Sequence, residues 1–359
     1  MKKKWIVIAP LLVLALAGIA VTMPVWAHLW QMYVPQPKVA IDRGTSREAI
    51  DGLITQYNRH YVLPDKAKQV EAFLRQRQQE GIYDRVTDAE QLAQQLTDDV
   101  QRIAPDRHMM VGFSADPLPP DSKGGPRPET QADWERRNNF VMRQITYVMA
   151  NPVDKVEHLD GNIGYLKISG FPPPFISGRR FAAAMDELAG TDGLIMDLRG
   201  HRGGNPEGVA LLISYFVDQR TRLNDIWDRS TGTSQQHWSV DKLDGKRYGS
   251  KKPVLILVDP DTKSAGEEFV YTMQALKRAT VIGAPTWGGA HPSRAFRIGK
   301  HFFAFIPNRR AINPITGSNW EGAGVIPDIA AAPDKALGVA EDLLRRRLAE
   351  GGALAAARQ

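Results

Sequence analysis

Val254-Leu255-Ile256-Leu257-Val258-Asp259-Pro260-Asp261-Thr262-Lys263-Ser264-Ala265-Gly266-Glu267 is the stretch that decides the fold. Its first five residues are all apolar and bounded by turn residues, the pattern of a strand buried on both faces. The turn from Asp259 to Lys263 leads into an amphipathic helix over 265–276. Ser264 therefore stands at a helix N-terminus, at the exit of a buried strand. Ligands bind along that edge of an open α/β sheet. The unpaired backbone N–H groups there can stabilise a developing oxyanion. Ser-x-x-Glu is equally a capping box, so this segment alone also admits a purely structural Ser264.

Around it, strands and helices alternate. Buried strands are expected at 163–168, 193–198 and 280–282, and helices at 181–188 and 206–217. Further strands are expected at 301–306 and 325–329, with a closing helix over 334–348. This alternation predicts an α/β domain with largely parallel pairing. Asp197-Leu198-Arg199-Gly200-His201-Arg202-Gly203-Gly204 leaves a second buried strand. Glycines there let the backbone approach a substrate, although a plain strand-to-helix turn would look the same. The segment lacks the Gly-x-Gly-x-x-Gly spacing of a dinucleotide site. Position 262 is Thr, so the Gly-x-Ser-x-Gly elbow of the α/β-hydrolases is missing.

Upstream the period is helical. Segments 46–60, 64–79 and 87–104 carry apolar residues at three- and four-residue spacing, and Thr87 with Glu90 reads as a capping box. A small helical domain is expected over 45–112. A Pro/Gly-rich linker or loop follows at 113–132, then a helical stretch at 133–149. The α/β domain is expected over 133–348, with a flexible tail at 349–359.

The chain of 359 residues is 43% hydrophobic and 24% charged, a mix that supports a sizeable core without staples. It has no cysteine, which excludes disulfides, thiolate zinc sites and a cysteine nucleophile. Lys2, Lys3 and Lys4 precede an uncharged apolar run over 5–23, and Val25-Trp26-Ala27 offers a small-residue cleavage site. Residues 1–27 read as a signal peptide or as an uncleaved membrane anchor; either places the rest outside the cytoplasm, periplasmic or extracellular. The net charge is +6, three of it from those lysines, and Lys/Arg runs with interleaved aromatics are missing. Nucleic acid is not an expected partner. No His-Glu-x-x-His or similar cluster implies a metal, and no motif implies a cofactor.

A serine nucleophile needs a base. Of the eight histidines, His108, in Asp106-Arg107-His108, and His291, in Gly289-Ala290-His291-Pro292, are the candidate bases. Glu321, between Trp320 and Gly322, could orient an imidazole. Taken in order, these pieces resemble the C-terminal-processing (tail-specific) serine protease family. The likeness is to its branch containing the tricorn protease core and the repeats of interphotoreceptor retinoid-binding protein. The pieces are Asp106 with His108, then 161–166, Asp197 to Gly204, Thr262 to Phe269, Ile282 to Ala290, and Trp320 to Asp328.

The resemblance implies a small N-terminal helical domain and a crotonase-like (ββα) α/β catalytic domain acting on polypeptide substrates. It also assigns roles. The family's usual lysine would fall at Gly289, and 283–291 contains no lysine. The tricorn-like branch instead implies Ser264 as nucleophile, His108 as base, and Glu321 holding the imidazole or its support. Gly203, Gly204 and Ala265 are the implied oxyanion donors, and His291 is a fallback base. About 50 residues separate Val111 from Gly161, too few for the PDZ domain many relatives carry. The alternative implied by the retinoid-binding relatives is a non-catalytic protein that holds hydrophobic ligands or scaffolds others.

Overall fold

A computed structural model describes residues 37–118 and 151–356. The expected leader or anchor, most of the Pro/Gly-rich segment and the 133–149 helix lie outside the described residues. No helix among the described residues is long and apolar enough to cross a membrane.

Three helices come first: α1 (Arg43–His60), α2 (Pro64–Gln79) and α3 (Ala89–Ile103). Their apolar faces bury Leu53, Leu74 and Leu96. The N-cap of α3 is Asp88, which accepts the Gln91 N–H at 3.1 Å, so the cap lies one residue beyond the expected Thr87. Strand β1 (Met110–Phe113) follows directly and pairs antiparallel with β10 (Phe302–Pro307). That strand pairs in turn with β9 (Ser293–Arg297). The hydrophobic cluster of the three helices is completed by Phe296, Ile298, Phe302, Ala304 and Ile306. The N-terminal helices therefore share one core with a hairpin from almost 200 residues downstream.

The main sheet has six strands. Its order is β12 (Ile329–Ala330), β8 (Thr280–Gly283), β7 (Val254–Val258), β4 (Gly193–Asp197), β3 (Ile163–Ile168) and β2 (Val153–Leu159). All pairs are parallel except the edge pair β2–β3. Strand β7 shows why its sequence is apolar throughout. Val254, Ile256 and Val258 face α4 (Pro174–Leu188), α5 (Pro206–Ile213) and α6 (Ala265–Ala275), while Leu255 and Leu257 face α7 (Ala336–Ala356). Helix α7 continues past Leu348, through most of the expected tail. The expected strand at 325–329 shrinks to the two residues of β12, because Val325 exchanges hydrogen bonds with Thr286 in place of a strand neighbour.

A third sheet, β11 (Arg309–Ile312), β5 (Arg222–Asp228) and β6 (Thr233–Trp238), is antiparallel and stands over the C-terminal edge of the main sheet. Its residues Ile226, His237, Arg309 and Ala311 form one wall of the cleft described next.

Candidate active site

The loops leaving β4 and β7 are laced together. Thr262 Oγ1 donates to Leu198 O at 2.9 Å, Lys263 N–H to His201 O at 2.8 Å, and Gly200 N–H to Asp259 Oδ1 at 3.0 Å. Asp197 itself is buried and structural. It accepts the Tyr165 hydroxyl at 2.7 Å and pairs with Arg199, whose hydrogen bonds and charge hold its carboxyl below the ordinary range despite burial.

At the top of this lacing Ser264 adopts φ 52° and ψ −117°. A non-glycine residue in that region carries strain of about 1–3 kcal/mol, and such strain persists only where the surroundings over-determine it. Here Glu267 does the over-determining. Its buried carboxyl accepts the N–H groups of Ser264 (2.8 Å), Gly288 (2.5 Å) and Gly289 (3.0 Å) and the Thr286 hydroxyl (2.6 Å). Burial raises its pKa, and these four donors oppose the rise. The acid that the sequence reads as a helix cap thus also clamps the 286–289 loop to the serine turn.

The Ser264 hydroxyl lies 3.1 Å from His108 Nε2, across 156 residues of sequence. His108 sits in the turn between α3 and β1. Gln101 Nε2 donates to Met109 O, the Val111 N–H donates to Thr97 Oγ1, and Asp106 Oδ1 accepts the His108 N–H at 3.1 Å. The ring stands edge-on to Trp287 at 5.1 Å. Burial, the largest influence, lowers the His108 pKa, with Asp106 opposing it. The imidazole is therefore neutral at pH 7 and able to accept a proton.

Gly289, the position of the missing lysine, packs directly on this ring. A Cβ there would come within 2.8 Å of His108 Cε1 and 2.4 Å of Trp287 Cζ3. A side chain at 289 and the imidazole at 108 would compete for the same space.

Behind His108 lies a cluster of Asp106, His291 and Glu321. His291 Nδ1 is 2.7 Å from Asp106 Oδ2 and 3.6 Å from Glu321 Oε2. Glu321 Oε2 also accepts the Ala290 N–H at 2.6 Å. The expected fallback base is thus engaged by two acids, and it is His108 that reaches the serine. No hydrogen bond joins Glu321 to His108. Burial first, and then the charge of Asp106, push the Glu321 carboxyl well above the ordinary range. Two buried atoms here have no partner among the described residues, His108 Nδ1 and Glu321 Oε1.

Of the expected oxyanion donors, Gly203 is otherwise engaged. Its N–H donates to His201 Nδ1 at 3.0 Å. His201 is fully buried, with its pKa lowered by burial to about 3, so it stays a neutral acceptor. No spacing in the sequence singled it out. This bond holds the loop so that Gly204, at φ 143°, faces the cleft; a Cβ there would meet Phe171 O at 2.2 Å. Among the described residues, the Gly204 and Ala265 amides donate to no protein acceptor. Both line a cleft of about 490 Å³ together with Ser264, His108 and Trp320.

Residues 162–331 match the model of peptidase family S41, and residues 42–144 match the N-terminal domain of that family in eukaryotic IRBP. The chain belongs to peptidase family S41. It is 29% identical over 141 residues to the carboxy-terminal processing protease CtpA of Bacillus subtilis, covering 38% of this chain and 28% of that protein. It is 24% identical over 209 residues to a candidate tricorn protease homologue of Streptomyces coelicolor, covering 57% and 15%. The chain thus spans less than a third of the length of these two relatives. In fold, the S41 chain resembles the crystal structure of a candidate peptidase from Parabacteroides merdae. The TM-score is 0.58 at 16% identity, over 84% of this chain and 96% of that one.

Proposed function

We propose that this S41 protein is an extracytoplasmic serine peptidase with Ser264 as nucleophile and His108 as base. The observation that carries the reading is the 3.1 Å approach of His108 Nε2 to a serine held at φ 52°. The export half of the reading rests on Lys2, Lys3 and Lys4 ahead of the apolar run.

Neutral His108 takes the Ser264 proton as Oγ attacks the scissile carbonyl. The carbonyl oxygen becomes an oxyanion and accepts hydrogen bonds from the Gly204 and Ala265 amides, which have no protein acceptor to give up. The imidazolium then protonates the leaving amine, and a water activated by the same imidazole releases the acyl group. As the imidazolium forms, its Nδ1–H needs an acceptor. Both Asp106 oxygens and Glu321 Oε2 are already engaged, whereas Glu321 Oε1 is free. We assign Glu321 as the third member on that free oxygen, with His291 beside it and Asp106 as the acid whose charge already acts on His108.

The test is Ser264→Ala. Peptide turnover and covalent labelling by a serine-reactive phosphonate should both vanish while the thermal transition is kept. Unchanged turnover in that variant would refute the proposal.

A further inference from the structure

Glu268 is the cleft residue that the mechanism leaves unused. It follows Ser264 by one turn of α6 and opens on the same cleft. It is 6% exposed, the most buried charged residue of the lining. Its hydrogen-bond partner among the described residues is Asn224 Nδ2 at 3.2 Å, and no cation contributes to its surroundings. Burial, its largest influence, pushes its carboxyl up to about 7, and the charge of Glu207 at the cleft mouth adds to the rise. An isolated buried carboxylate is costly unless a counter-charge reaches it.

The other charged groups of the cleft do not supply one. His237 has its pKa lowered by burial and is neutral at pH 7. Arg309, half-buried on β11, acts on His237 and not on Glu268. The same cleft is lined by the buried apolar Ile226, Ala311 and Trp320. Buried apolar walls beside an acid that has no cationic partner complement a long aliphatic stem with a cationic head.

We propose that the cleft selects polypeptides carrying a lysine or arginine side chain beside the scissile bond, with the cationic group on Glu268. This specificity rests on the peptidase reading above. The stem lies along Ile226 and Trp320, and the head restores the charge partner that burial denies Glu268. A site with a buried polar group left unpaired by the wrong ligand discriminates strongly, so about 100-fold in kcat/KM is expected between lysine and norleucine at that position.

The experiment uses a positional-scanning peptide library and then a matched lysine/norleucine peptide pair. With the wild-type chain, Lys or Arg should be enriched at one position next to the cut, and the matched pair should show the roughly 100-fold ratio. Glu268→Gln should reduce that ratio to below about fivefold. Binding of the same two peptides to Ser264→Ala needs neither turnover nor a folded Glu268 variant. There the lysine peptide should bind at least about tenfold tighter. Equal affinities, or a ratio unchanged in Glu268→Gln, would overturn the proposal. Failure of the peptidase reading looks different: no Ser264-dependent cleavage, with the lysine preference in binding still present.

Discussion

The two halves of the site are built to different standards of completeness. On the nucleophile side, four donors converge on the Glu267 carboxyl, and His201 fixes the glycine loop. Strain at Ser264 is thereby locked in before any substrate arrives. On the base side, His108 Nδ1 and Glu321 Oε1 are both buried and both unpartnered. The first half is held by the interior of one sheet. The second joins the turn after α3 to loops near residues 290 and 321 through Asp106 and His291. The difference teaches that the Ser264 turn is fully bonded as it stands, whereas the surroundings of His108 keep an unused donor or acceptor on each side, which the proposed mechanism fills when charge develops on the ring.

This contrast can be broken at several points. Among the residues around the proposed Ser264–His108 pair, Glu321→Gln should have the largest effect, lowering kcat by about 10²–10⁴, since it removes the negative charge that would face the imidazolium. It should also change the pH profile. Glu321 is raised and His108 is lowered from their ordinary values, so wild-type kcat/KM should fall on the acid side as Glu321 protonates. In Glu321→Gln that limb should move to lower pH, leaving protonation of His108. An acid limb that does not move would assign it to another group.

Gly289→Ala should come next. The added methyl strikes His108 and Trp287 and displaces the ring, so kcat should fall about 10²-fold while phosphonate binding to the oxyanion donors persists. A fully active Gly289→Ala would show that the base side is loose rather than incomplete. Glu267→Gln should act mainly on stability, by about 1–3 kcal/mol, because one of the converging N–H donors loses its acceptor. Its denaturation midpoint should drop, and a change confined to kcat would contradict the clamp.

Much of the frame was legible in the sequence. The apolar run at 254–258 is continuous because both faces of β7 are covered, and 46–60 and 64–79 show helical spacing because one face of each helix meets a core. Strands β5 and β6 were not legible as a hairpin. Residues 233–236 are polar and exposed, so no burial imprints a period on them. The 325–329 segment misled for the converse reason: Ile326 is apolar but 57% exposed. Within the site, Ser264, His108 and Glu321 could be named from their segments and the family resemblance. Glu267, His201 and Glu268 could not, since each draws its role from loops or walls distant in sequence. The occupied Gly203 amide belongs to the same class, because only the folded position of His201 reveals it.

The most direct test of the central claim is on His108. The rate constant of phosphonate labelling and of peptide turnover should be measured for His108→Ala beside the wild type, each checked for folding by its thermal transition. The account predicts that turnover falls by about 10⁶, to the level of Ser264→Ala, and that the double variant is no worse. Labelling or turnover within a few-fold of wild type in folded His108→Ala would contradict it.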